Sequence, residues 1–106
     1  MKKARQNQVW DALANDTRRQ ILDLLKEKSR TTGDIALRLK SLDRCTVMQH
    51  LEVLAEADLI IVKREGKFRW NYLNVVPIQR IYDRWLAIYA RPNAAMLTRL
   101  KDDLEG

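Results

Sequence analysis

Two clusters of side chains in this chain are equipped for recognition chemistry, and both would work by hydrogen bonding and charge. Arg44, Cys45, Thr46, Met48 and Gln49 stand together at the head of a polar-faced segment, and Lys63, Arg64, Lys67 and Arg69 follow in a short basic stretch. Gln49 carries the donor and acceptor pair that suits an adenine edge, and Arg44 suits guanine or a phosphate oxygen. The four later cations outweigh Glu65 and leave the Lys63 to Arg69 stretch at +3. Charge of that kind grips a nucleic-acid backbone or minor groove without reading its sequence.

The remaining reactive groups point away from catalysis. Cys45 and His50 are the one cysteine and the one histidine. Five positions apart on a helix they are turned about 140° from each other, so they cannot face one ion together. His50 precedes an apolar Leu51, which predicts a half-buried, hydrogen-bonded imidazole. Cys45 in a first helical turn has two readings: a small side chain allowing close approach to DNA, or a thiol open to oxidation or alkylation. There is no second histidine, Gly-rich phosphate loop or convergent carboxylate pair, so an enzyme site, a metal site and a bound cofactor are not expected.

These groups need elements to hold them. Thr31 or Thr32 offers an N-cap with Asp34 in the first turn, predicting a short helix over about 33–40 that buries Ile35, Ala36 and Leu39. After a turn at Ser41-Leu42, Asp43 caps a second helix that runs to about Ala57. On that helix Val47, Leu51, Leu54 and Asp58 fall in one row, with Cys45, Gln49, Glu52 and Glu56 roughly opposite. The inner row packs and the outer row is free to recognise. Leu59 to Val62 then forms a β-branched run, Gly66 supplies a turn with positive φ, and Phe68, Trp70 and Tyr72 alternate with Arg69 and Asn71 along a return strand. The alternation predicts a two-stranded hairpin whose three aromatics pack into the core rather than stack on bases. Two short capped helices followed by a basic hairpin make the pattern of a winged helix-turn-helix, mainly α with a small β-hairpin.

Flanking helices complete the plan. Val9, Trp10, Ala12 and Leu13 stripe a first helix, and Asn15-Asp16-Thr17 reads as a stop followed by a new N-cap. A second helix over about 18–28 carries Ile21, Leu22, Leu24 and Leu25. After Pro77 the apolar residues Ile78, Ile81, Tyr82, Trp85, Leu86, Ile88 and Tyr89 spread over so wide an arc that a partner surface is needed to cover them. Trp10, Leu13, Ile81, Trp85, Ile88 and Tyr89 are therefore expected in a dimer interface. A last amphipathic helix carries Met96, Leu97, Leu100 and Leu104.

Composition agrees with this plan. The chain has 106 residues, 46% apolar and 32% charged, with three Gly and two Pro, which fits one mostly helical domain over 1–106. Its DNA-binding core is expected at about 15–73 and its dimerisation helices at about 77–104. Net charge is +6 and the sequence pI is about 9.8, favouring nucleic acid over membrane as partner. The absence of a long apolar run or signal-like start predicts a cytosolic, cytoplasmic protein.

The residues from Leu13-Ala14-Asn15-Asp16-Thr17-Arg18-Arg19 to Leu25, and those from Thr46-Val47-Met48-Gln49-His50-Leu51 to Ile60, resemble the ArsR family of bacterial winged-helix repressors. The resemblance covers about Val9 to Leu73. It implies a dimer whose first and last helices pair, whose recognition helices enter successive major grooves, and which represses by occupying a promoter. Residues 77–106 look like the non-metal branch that includes autorepressors. Metal-sensing members carry a cysteine pair in the recognition helix, or Asp and His ligands in the last helix. Here Cys45 stands alone and Ile78 to Tyr89 offers only Asp83, so metal-responsive release is not implied. The expected protein is a homodimeric repressor on a palindromic double-stranded DNA operator, its inducer unknown. The alternatives are a winged helix that binds protein instead of operator, and a thiol-responsive regulator acting through Cys45.

Overall fold

The computed structural model describes residues 5–86 and 92–105. Helix α1 spans Arg5–Leu13 and α2 Asp16–Glu27, followed by a short strand β1 at Arg30–Thr31. Helix α3 covers Thr32–Arg38 and α4 Arg44–Glu56. Strands β2, Ile60–Glu65, and β3, Phe68–Leu73, lead to α5 at Val76–Trp85 and α6 at Pro92–Glu105. No described helix is long and apolar enough to cross a membrane.

Short polar side chains set the helix starts. Asn15 Oδ1 accepts from Arg18 N at 3.0 Å, Thr31 Oγ1 from Asp34 N at 3.1 Å, and Asp43 Oδ1 from Thr46 N at 2.7 Å. Each bond satisfies an amide that a helix's first turn leaves without a partner. Val47, Leu51 and Leu54 form the inner row of α4 and are fully buried with Ile21, Ile35 and Leu59. Asp58 does not extend that row. It has left the helix with φ +60°, while Leu59 N–H donates to Leu54 O at 2.9 Å and Asp58 N–H to Ala55 O at 3.0 Å. This is a Schellman ending that turns the chain from α4 into β2.

The sheet departs from expectation twice. It has three antiparallel strands in the order β1-β3-β2, because Arg30 and Thr31 pair with Asn71 and Trp70. The alternation along β3 is also inverted: Asn71 is fully buried, while Phe68 is 52% and Tyr72 36% exposed, with Trp70 between. Core packing of the three aromatics is thus overturned. The cause is a polar knot on the inner face. Asn71 Nδ2 donates to Arg30 O and Thr32 Oγ1 at 3.3 and 3.1 Å. The buried Arg30 guanidinium in turn reaches Glu27, Asp34 and the carbonyl of Leu24 at 2.8, 3.0 and 3.1 Å. Once that network claims Asn71, residues 68, 70 and 72 must face outward.

Among the expected interface residues, Leu13 and Ile81 pack partly against the core. Trp10 and Trp85 lie with ring centroids 6.0 Å apart, joining α1 to α5, and are 44% and 45% exposed. Ile88 and Tyr89 lie outside the described residues, as do the side chains of Met96 and Leu97.

Candidate nucleic-acid interface

Helix α4 lies with its apolar row against α1, α2 and β2, which directs its opposite side to solvent. Arg44, Cys45 and Gln49 are exposed there, and Thr46 and Met48 are half-buried at its edge. Cys45 and Gln49, four positions apart, share the outermost line, and Arg44 and Met48 share the line that faces the hairpin. Asp43, which caps this helix, is held below the usual carboxylate range by the Thr46 amide.

The hairpin closes through Gly66 at φ +59°, a conformation most side chains resist. Its register places Arg64 directly opposite Arg69, and Lys63 opposite Trp70. The two arginines therefore project to the inner side of the sheet and Lys63 to the outer side, where it pairs with Glu65 at 3.2 Å. On the inner side Arg64, Lys67 and Arg69 line one groove with Arg44 and Met48 from α4, enclosing about 900 Å³. The structure thus brings five of the nine expected DNA-contacting residues together. Cys45, Thr46 and Gln49 stand on or beside the neighbouring outer face of α4, and Lys63 stands apart.

Groove electrostatics favour an anion. Its one carboxylate, Asp34, is bound by Arg30 and Arg38 at 3.0 and 3.1 Å. The bond from Arg30 is the main reason its carboxyl sits below the usual range. That carboxylate is already neutralised and does not cancel the cations beside it. Arg69 Nε is buried and has no hydrogen-bond partner among the described residues.

Sequence reasoning missed the α3 wall: Thr32, Gly33, Asp34, Ala36 and Leu37 of α3, with its N-cap Thr31, also line the groove. Leu37 is 72% exposed. Its position two residues after the buried Ile35 was a usable signal, since that offset turns a helical side chain away from the core. His50 is half-buried as expected, its Nδ1 3.4 Å from Arg18 Nη1. Burial first, and then the Arg18 charge, push its pKa below 6.5.

Known proteins resemble this chain in sequence and in fold. A family profile described as a helix-turn-helix domain matches residues 13–63. The transcriptional repressor SdpR of Bacillus subtilis (strain 168) is 38% identical over 73 residues, covering 69% of this chain and 80% of that protein. A second protein of the same organism, the uncharacterised HTH-type transcriptional regulator YuzN, is 34% identical over 84 residues, or 74% of this chain and 91% of its own length. In three dimensions the fold is similar to an ArsR-like transcriptional regulator from Rhodococcus sp. RHA1, with a TM-score of 0.68 and 24% identity over 87% of this chain and 89% of that one. With a capped helix pair, a basic wing and relatives of this kind, the chain belongs to the ArsR family of winged helix-turn-helix proteins, DNA-binding regulators of transcription and not enzymes.

Proposed function

We propose that the chain is a homodimeric repressor that occupies a palindromic operator, with α4 reading bases and the wing holding the backbone. The observation that carries this reading is the groove in which Arg44 and Met48 of α4 meet Arg64, Lys67 and Arg69 of the wing. A duplex laid along α4 puts a phosphate strand beside that groove. Gln49 and Cys45 then meet the major-groove floor, and each cation that neutralises a phosphate releases a counterion. Site residues are accordingly Arg44, Cys45, Thr46, Met48 and Gln49 for recognition, and Lys63, Arg64, Lys67 and Arg69 for charge.

Dimerisation through α1 and α5 is supported by the half-exposed Trp10 and Trp85 and by the exposed Ile78, Tyr82 and Leu86. Ile88 and Tyr89 continue the same apolar sequence. Repression is supported by the likeness to SdpR, which is a repressor. Regulation without metal rests on the lone Cys45 and the lack of histidine after residue 50. A gel shift on the chain's own promoter, repeated with zinc and with a chelator, tests the whole reading. One retarded species of dimer stoichiometry, unchanged by either addition, is expected. Loss of all retardation, or a tenfold change with zinc, overturns it.

A further inference from the structure

Arg18 does more than end a helix. It is the third residue after the N-cap of α2, and its backbone amide is already fixed by Asn15 Oδ1 at 3.0 Å. Its guanidinium then serves two other helices. Nε donates to Ala12 O at 2.9 Å and Nη2 to Asp11 O at 3.1 Å, both carbonyls at the end of α1. Nη1 lies 3.4 Å from His50 Nδ1 in α4, which accepts when the ring carries its proton on Nε2. The neighbouring Arg19 takes the next α1 carbonyl, Leu13 O, at 2.6 Å.

Helix-ending carbonyls attract a cation in any fold, and two nitrogens suffice for that. The third nitrogen reaches His50, which lies between the outward Gln49 and the fully buried Leu51. A guanidinium is planar and its donors diverge at fixed angles, so contacts at all its nitrogens fix the relative angle of the groups they hold. α1 is tied through Trp10 to Trp85 of α5, and these are the helices assigned above to the dimer. Arg18 therefore stands on a hydrogen-bonded route between the dimer helices and the residue next to the reading side chain.

We infer that Arg18 is a positioning residue that sets the angle of α4 against α1, and through the dimer fixes the distance between the two recognition helices. The inference rests on the homodimer reading. Half-site spacing on DNA follows from that distance, so the property Arg18 controls is the spacer length that the protein accepts. Deleting it should relax spacing more than it weakens contact with one half-site.

The experiment uses the full chain and palindromic duplexes selected from a random-sequence pool, with the spacer between half-sites then shortened or lengthened by one or two base pairs. For the native protein, affinity should fall about tenfold or more at a two-base-pair change, because such a change displaces and rotates one half-site. Arg18→Gln should bind the best spacer more weakly and show less than about threefold variation across the series. His50→Leu, which removes the α4 contact and leaves both carbonyl bonds, should also flatten the profile, and it decides the matter if Arg18→Gln does not fold. Either variant, folded and dimeric by sedimentation, that keeps the native spacer profile overturns the inference. A native protein that is monomeric or indifferent to spacing overturns the homodimer reading, and the inference with it. The first failure appears only in the variants and the second only in the native protein.

Discussion

The stretch from Asn15 to Leu73 and the helix that follows it are finished to different degrees. In the first, α2, α3 and α4 each start at a side-chain cap, Leu51 and Leu54 are fully covered, and the polar knot around Arg30 ties three elements together. In the second, Val75 makes no capping side-chain bond and Asn74 Oδ1 accepts instead from Val76 N–H at 3.2 Å, Pro77 is the one buried described residue of α5, and Trp85 and Leu86 are 45% and 54% exposed. The contrast teaches that the reading unit closes on its own core, whereas α5 presents apolar surface that the described residues leave uncovered. Stability and assembly should therefore respond to different residues.

The contrast is broken most directly at Leu51. Leu51→Ala should lower folding stability by about 2–5 kcal/mol, since the site is fully enclosed and collapses poorly. A denaturant midpoint that barely moves would show that the core is looser than its burial implies. Trp85→Ala sharpens the other side. It should convert dimer to monomer in sedimentation while far-ultraviolet dichroism stays native, and a variant that still sediments as a dimer removes α5 from the interface.

Recognition and charge separate within the reading unit. Gln49→Ala should cost about 1–3 kcal/mol at one base position, while Arg69→Ala should weaken all duplexes alike and lower the salt slope by about one. Equal loss on every sequence with Gln49→Ala would move base reading to another line of α4. The smallest effect is set by His50. Its folded pKa lies below 6.5 through burial and the Arg18 charge, so the unfolded chain binds the proton more readily. Its contribution is fully present above 6.5 and declines as pH falls from there towards the folded value. Melting temperatures of native protein and His50→Leu between pH 8 and 5 should converge on the acid side, and parallel curves would exclude this role.

Local chemistry was legible in the sequence and distant chemistry was not. The caps at Thr31 and Asp43, the positions of Val47, Leu51 and Leu54 on the inner row of α4 and the glycine turn are written within a few residues, and they stand where expected, whereas Asn15 itself caps α2, which starts at Asp16, two residues ahead of the expected Arg18. The wing's period was legible too, but period alone leaves two faces to choose between. Aromatic residues ordinarily take the buried face. Here that face belongs to Asn71, whose partners Arg30 and Thr32 are 41 and 39 positions away. The same distance hid β1, and it hid the meeting of Arg18 with His50 across 32 positions. In the candidate interface the cations were legible as a cluster, but their division between the two faces of the hairpin depended on strand register. Register placed Lys63 away from Arg64 and Arg69.

Arg64 and Arg69 face each other across the hairpin, and like charges so placed destabilise a strand pair. In the proposed mode of binding a phosphate would relieve that opposition, so part of the wing's order would be withheld until DNA arrives. Electrolyte then acts on one pair of side chains with two signs. It screens their mutual repulsion in the empty wing and also screens their attraction to the duplex. Amide exchange in β2 and β3 should accordingly slow with added salt when the protein is free, and quicken with added salt when it is bound to DNA.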